Sequence, residues 1–254
     1  MLVFPLNIAR ELFTVINVGF RVIGYMLNSF PAVRLNGYFM FAVGHMSLAY
    51  LIGKASSKFL KVNPNIPLML VLSILPDIDI AIGTLTGTAI HRGPTHSLFF
   101  SLIIFVPFFI IYSKRAVPYF LAYISHFLLG DFFVGGKLQL FWPLSNNNFG
   151  FHQAGFSYVG IGDPINIATE LSLLAVAIVI MAKTRDYKIF LKNDKTNLIL
   201  LIPIATVLLP TFTGYPFSMP IFLVLPAIGI AHLFFLILFG TSILIILYST
   251  IKKR

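Results

Sequence analysis

Apolar residues run through this chain in long blocks, and the sparse polar positions mark where the blocks end. Runs over about 37–53, 66–76, 97–113, 116–130, 165–182, 198–212 and 226–249 read as helices approaching the roughly 20 residues needed to cross a bilayer. Residues 1–35 differ: Arg10, Thr14, Asn17, Arg21 and Asn28 recur at steps of three, four and seven, on one helical stripe. That stripe predicts an amphipathic helix lying in the membrane interface, with a tilted span as the alternative. Pro67, Pro76, Gly83 and Gly87 interrupt the segment 66–90, which predicts a broken or re-entrant element beside a cavity. The stretch 132–164, FFVGGKLQLFWPLSNNNFGFHQAGFSYVGIGDP, is long, aromatic and rich in Gly and Asn. It reads as a loop lying on the interface as a lid.

Composition agrees with the pattern. Of 254 residues 58% are hydrophobic and only 10% charged, and the mean hydropathy is +0.92, far above that of a soluble domain. The expected fold class is all-α: a polytopic transmembrane bundle of about seven spans, one of them broken, preceded by the amphipathic helix. A single membrane domain over 1–254 would comprise that helix, a half carrying the polar cluster (37–164) and C-terminal spans (165–254). The N-terminus has no basic start before an apolar run and does not read as a cleaved signal peptide.

The net charge of +10 could suggest nucleic acid, but Lys and Arg sit mainly in short connections, where membrane orientation accounts for them. With alternating spans, Lys54, Lys58, Lys61, Lys114, Arg115, Lys183, Arg185, Lys188, Lys192, Lys195, Lys252, Lys253 and Arg254 share one side. The positive-inside rule makes that side cytoplasmic, with the N-terminus extracytoplasmic and the C-terminus cytoplasmic. The expected location is the plasma (inner) membrane, the expected partners are membrane lipids, and nucleic acid is not expected.

Charge inside apolar segments is costly, so the acids there stand out. Asp77 and Asp79 end the second run, His91 and His96 open the third, and His126 and Asp131 close the fourth. All six converge on the outer side of the alternating topology. His45, in the first run, would lie about 12 Å below its start, at the floor of an outward cavity. Imidazole and carboxylate together suit zinc and similar divalent cations, and a cation would balance three aspartates that burial otherwise pushes toward protonation. With no cysteine in the chain, thiolate sites and disulfides are excluded. In HRGPTH, Gly93 and Pro94 suit a helix start. The amides of Thr95, His96 and Ser97, with Arg92 beside them, would then favour an anion such as a phosphate ester.

Other residues have plainer readings. Asp77 or Asp79 alone could be a helix cap, Asp163 before Pro164 reads as the N-cap of the next helix, and His232 reads as packing. Glu170, two turns deeper than Asp163, and His152 in the long loop are possible additional site residues, Glu170 either as a ligand or as partner of Arg92 or Lys137. The Phe-rich LFFSLIIFVPFFIIY faces lipid or core and needs no cofactor.

At GHMSLAY (44–50), LPDID (75–79), HRGPTHSL (91–98), YISHFLLGD (123–131) and, more loosely, GGKLQLFWP (135–143), the chain resembles the YdjM-like family of membrane-bound metal-dependent hydrolases. That family is grouped with the zinc-dependent phospholipase C and single-strand nuclease superfamily, all-helical enzymes with His and Asp ligands on clustered zinc ions. The resemblance implies His45, Asp77, Asp79, His91, His96, His126 and Asp131 as metal ligands, with two or more ions. It covers roughly the first 60% of the chain. One departure matters: the family usually spaces the last His and Asp four apart, whereas His126 and Asp131 are five apart. On a regular helix that rotates Asp131 about 100° further round. Gly130 could bulge or end the helix and restore convergence.

The reading that follows is a metal-dependent hydrolase, a phosphoesterase acting on a lipid or small membrane-associated phosphoester at the extracytoplasmic face. Asp77 or Asp79 would orient or deprotonate the attacking water, and Arg92 with the helix amides would stabilise charge developing on phosphate. A transporter or proton relay is one alternative, predicting internal repeats and polar residues through the full depth. A non-catalytic scaffold with a structural metal is the other.

Overall fold

The computed structural model describes residues 40–80, 86, 91–134, 136–151, 159–214 and 219–252. The amphipathic helix expected over 1–35 and His152 lie outside the described residues. Among those described, the chain is helical, with one isolated antiparallel bridge between Leu138 and Phe149.

Helix α1 (Ala42–Leu60) is the post around which the rest is arranged, packing against α2 (Ile66–Leu72), α4 (Val117–Ser125), α5 (Pro164–Thr184) and α9 (Pro226–Ile251). It buries Val43, His45, Met46, Ala49, Tyr50 and Gly53. It ends where Lys61 adopts a left-handed conformation (φ 54°), so that the Val62 N–H reaches back to the Ser57 carbonyl. Two features bound α2 to seven residues: Asn65 caps its start, accepting from the Leu68 N–H, and beyond its end Pro76 sits in a separate 3₁₀ turn, Leu75–Asp77. The break expected in 66–90 therefore falls just before Asp77 and turns its carboxylate out of the helical line.

Helix α3 (Leu98–Tyr112) continues as a 3₁₀ turn to Arg115 and buries only Ser101 and Phe105, leaving Ile103, Ile104, Phe108, Ile110 and Ile111 exposed. An apolar helix exposed nearly all round is one whose solvent is lipid. Asp163 caps α5 by accepting from the Ile165 N–H, as its position before Pro164 predicts. After the short α6 (Tyr187–Phe190), the span α7 (Lys195–Thr213) mixes 3₁₀, α and π turns; a four-residue α8 (Ile221–Val224) leads into α9. Phe190, Leu200, Phe235 and Phe239 join Met46, Tyr50, Met69 and Leu70 in the main core.

Four helices among the described residues are long and apolar enough to cross a membrane: Leu98–Arg115, Pro164–Thr184, Lys195–Thr213 and Pro226–Ile251. About seven were expected. The difference lies in α1, which is 19 residues long but carries His45, Lys54 and Lys58, and in α2 and α4, whose seven and nine residues fall short of a crossing.

Candidate metal centre

The seven predicted residues come from four separate stretches of chain, and the structure brings all seven together. Donor atoms of His45, His126 and Asp131 lie within 4.8 Å of one another, as do those of Asp77, His96 and His126, and those of Asp79, His91 and His96. His45, Asp79, His96, His126 and Asp131 are buried; the side chains of Asp77 and His91 remain 32% and 38% exposed, so the cluster has one open side.

Local chain features place each group. His45 stands in the first turn of α1, because that helix begins at Ala42 rather than near 37. It lies near a helix end, not at the expected depth, and its ring stacks on that of His126 at 3.7 Å between centroids. A Cβ at Gly130 would stand 2.5 Å from the His45 Cε1, so only glycine permits this approach. The five-residue spacing of His126 and Asp131 is absorbed by a π turn, His126–Asp131, closed by the Phe132 N–H on the Phe127 carbonyl at 2.9 Å. The widened turn leaves the Asp131 Oδ2 3.9 Å from the His126 Nε2 and 3.5 Å from the His96 Nε2. Asp77 Oδ1 lies 3.3 Å from the His126 Nε2 and 3.6 Å from the His96 Nε2.

The remaining nitrogens are held by protein. His126 Nδ1 donates to the Ser73 carbonyl at 2.7 Å, which directs the Nε2 lone pair into the cluster. His96 Nδ1 lies 3.2 Å from Asp79 Oδ2 and 3.1 Å from the Thr95 hydroxyl. Asp79 is saturated: its Oδ2 accepts from the Arg92 N–H and the Thr95 hydroxyl, and its Oδ1 sits 3.0 Å from His91 Nδ1. Burial opposes ionisation of Asp79, yet hydrogen bonds from His91 and His96 hold its carboxyl well below the usual carboxylate range. For His96 burial is likewise outweighed, here by the surrounding carboxylates, which push the imidazole up to about 9. Among the described residues, His45 Nδ1, His96 Nε2 and His126 Nε2 are buried without a hydrogen-bond partner. Buried polar atoms of this kind are costly, and buried His and Asp groups so arranged could hold a metal ion.

The anion site expected from helix amides takes a different form. Pro94 starts a separate 3₁₀ turn (Pro94–His96), and α3 begins only at Leu98, capped by the Ser97 hydroxyl on the Phe100 N–H. The amides of His96 and Ser97 bond to the Gly93 and Pro94 carbonyls, those of Leu98 and Phe99 to the Leu140 carbonyl, and the Thr95 hydroxyl to Asp79. This leaves Arg92 as the basic group at the cluster, its Nη2 3.3 Å from Asp131 Oδ1. Arg92 itself holds a left-handed backbone (φ 65°) that turns its N–H onto Asp79.

Glu170 falls outside the three groups of His and Asp whose donor atoms converge. Its two oxygens accept from the backbone N–H groups of Phe41 (2.6 Å) and Gly44 (3.2 Å), capping α1 from α5. His232 packs in the core, Nδ1 on the Ile228 carbonyl and ring edge-on to Phe41. In the stretch after Asp131, residues 136–142 form a rim tied by hydrogen bonds to the segments of the cluster. The Ser97 hydroxyl bonds to the Leu140 and Trp142 carbonyls, and the Gly136 N–H to the Asp131 carbonyl at 2.7 Å. Sequence reasoning missed Ser73, which acts through a backbone carbonyl that no residue type reveals, and Tyr123, whose hydroxyl supports the Thr95 carbonyl.

Fold and cluster together define an all-helical membrane protein with a buried His/Asp constellation opening to one side. The chain belongs to the YdjM inner membrane protein family, which it matches over residues 40–252. No curated protein and no solved structure is significantly similar to it.

Proposed function

We propose that the protein is a membrane-embedded metal-dependent hydrolase acting on a phosphoester of a lipid or other membrane-associated substrate at the extracytoplasmic face. The observation that carries this reading is the set of three buried imidazole nitrogens, on His45, His96 and His126, without hydrogen-bond partners and facing Asp77 and Asp131. A divalent cation, zinc first among the candidates for such donors, would polarise phosphoryl oxygens and activate water when bound. Asp77, the most open of the three carboxylates, would take the proton of the attacking water. Arg92 would stabilise charge developing on the phosphoryl group. The rim over 136–142 would limit water and shape access.

The positive-inside arrangement of Lys and Arg supports the orientation, with the cluster outside and the C-terminus in the cytoplasm. Metal analysis of the purified protein, alongside hydrolysis of a phospholipid and isoprenoid-phosphate panel, tests the reading. Bound metal and metal-dependent turnover are expected in the wild type, and both should be lost in Asp77→Ala and His96→Ala. Wild-type protein without bound metal in every preparation would overturn it.

A further inference from the structure

The seven candidate residues do not present seven equivalent donors. Asp77 Oδ1, His96 Nε2, Asp131 Oδ2 and His126 Nε2 form a closed ring in which nitrogen and oxygen alternate, with successive separations of 3.6, 3.5, 3.9 and 3.3 Å. Donors about 2.1 Å from a common ion are separated by roughly 3.0–3.4 Å in octahedral or tetrahedral arrangement, so the ring needs only slight contraction to surround one cation. His45 adjoins His126 and Asp131, but its ring is stacked on that of His126, so the two imidazoles do not both point in-plane at one ion.

The Asp79, His91 and His96 group is different in kind. An imidazole ligates one ion through one nitrogen while the other keeps its proton, and His96 cannot serve both groups without losing both. Its Nε2 faces the ring, leaving Nδ1 as the N–H donor toward Asp79 and Thr95. The Asp79 Oδ2 is already occupied by the Arg92 N–H and the Thr95 hydroxyl. That leaves Asp79 Oδ1 and the half-exposed His91, one donor short of a three-ligand protein site.

We infer that the protein holds a single ion on Asp77, His96, His126 and Asp131, and that Asp79 is a positioning residue orienting His96. This rests on the metal-dependent reading above, and it narrows the two or more ions expected from the sequence to one. Asp79 does for His96 what the Ser73 carbonyl does for His126: each fixes the tautomer that presents Nε2.

The test loads the full-length protein in detergent with cobalt(II), which reports its ligand field by visible absorption, and counts bound metal per chain by elemental analysis. The wild type is expected to bind one ion per chain. Asp77→Ala and His126→Ala should bind none, and His91→Ala, at an exposed position, should bind one with an unchanged spectrum. Asp79→Asn should keep one ion with affinity lowered roughly 10–100-fold and a shifted spectrum, the behaviour of a removed orienting group. Two ions in the wild type, or loss of an ion in His91→Ala, overturns the assignment while leaving the hydrolase reading standing. No ion in the wild type overturns that reading itself.

Discussion

Two buried polar clusters sit along α1, and they differ in one respect. In the C-terminal half of the helix, Lys54 meets Asp186 at 2.7 Å, and the Tyr50 hydroxyl donates to the same carboxylate at 2.7 Å. Those charges answer one another, and the effect is mechanical: the segment after α5 is clamped to α1. At the other end, around His45, imidazole nitrogens and carboxylate oxygens crowd together, and among the described residues three of the nitrogens have no hydrogen-bond partner. A closed cluster is a structural device, whereas an open one requires something from outside the chain. Glu170 belongs with the first kind, because both its oxygens are spent on α1 amides.

The comparison can be broken by mutation. The largest expected effect is at the open cluster, where His126→Ala should reduce bound metal to background while the protein still folds in the metal-free state, read by elemental analysis and by unfolding with chelator present. A variant unfolded even without metal would show that His126 is structural, like the clamp. Next comes Gly130→Ala: its methyl group must displace the His45 ring, and overpacking should cost about 1–3 kcal/mol of stability along with weakened metal binding. Denaturant unfolding and a metal titration measure the two effects separately.

Asp186→Ala should sharpen the contrast from the other side, losing about 1–3 kcal/mol of stability through the unpaired Lys54 and Tyr50 while metal content stays unchanged. The clamp also carries a pH signature. Burial would raise the Asp186 carboxyl, but the hydrogen bonds from Lys54, Thr184 and Tyr50 hold it below the usual carboxylate range. A depressed folded-state value stabilises above the unfolded value, about 4, and that stability is lost as pH falls through the folded value. Wild type should therefore lose its advantage over Asp186→Ala below roughly pH 4, as measured by melting temperature across a pH series. The smallest effect is expected at Asp163→Ala, which removes the α5 cap and should cost about 1 kcal/mol with no change in metal binding.

Much of the cluster was legible in the chain because its residue types are so costly in apolar surroundings that their mere presence marks a site. Asp77 after Pro76, His91 and His96 around Gly93 and Pro94, and His126 before Asp131 all announce themselves by standing at breaks in apolar runs. Glu170 carries the same signal and has another role, since cost in the membrane does not distinguish a metal ligand from a cap on a neighbouring helix. Hydropathy likewise registers burial without saying whether lipid or protein does the burying, and among the described residues four helices are long and apolar enough to cross a membrane, where about seven were expected.

Local chemistry in the sequence determined that this is a helical membrane protein, where its helices break, and which ionisable groups gather at one face. Tertiary structure decided which atoms face which. The π turn that brings Asp131 back beside His126, the Ser73 carbonyl that aims a lone pair, and the Leu140 carbonyl that takes the α3 amides from any anion are contacts between distant segments. Each depends on backbone groups that every residue possesses, so residue identity could not disclose them before the chain was folded.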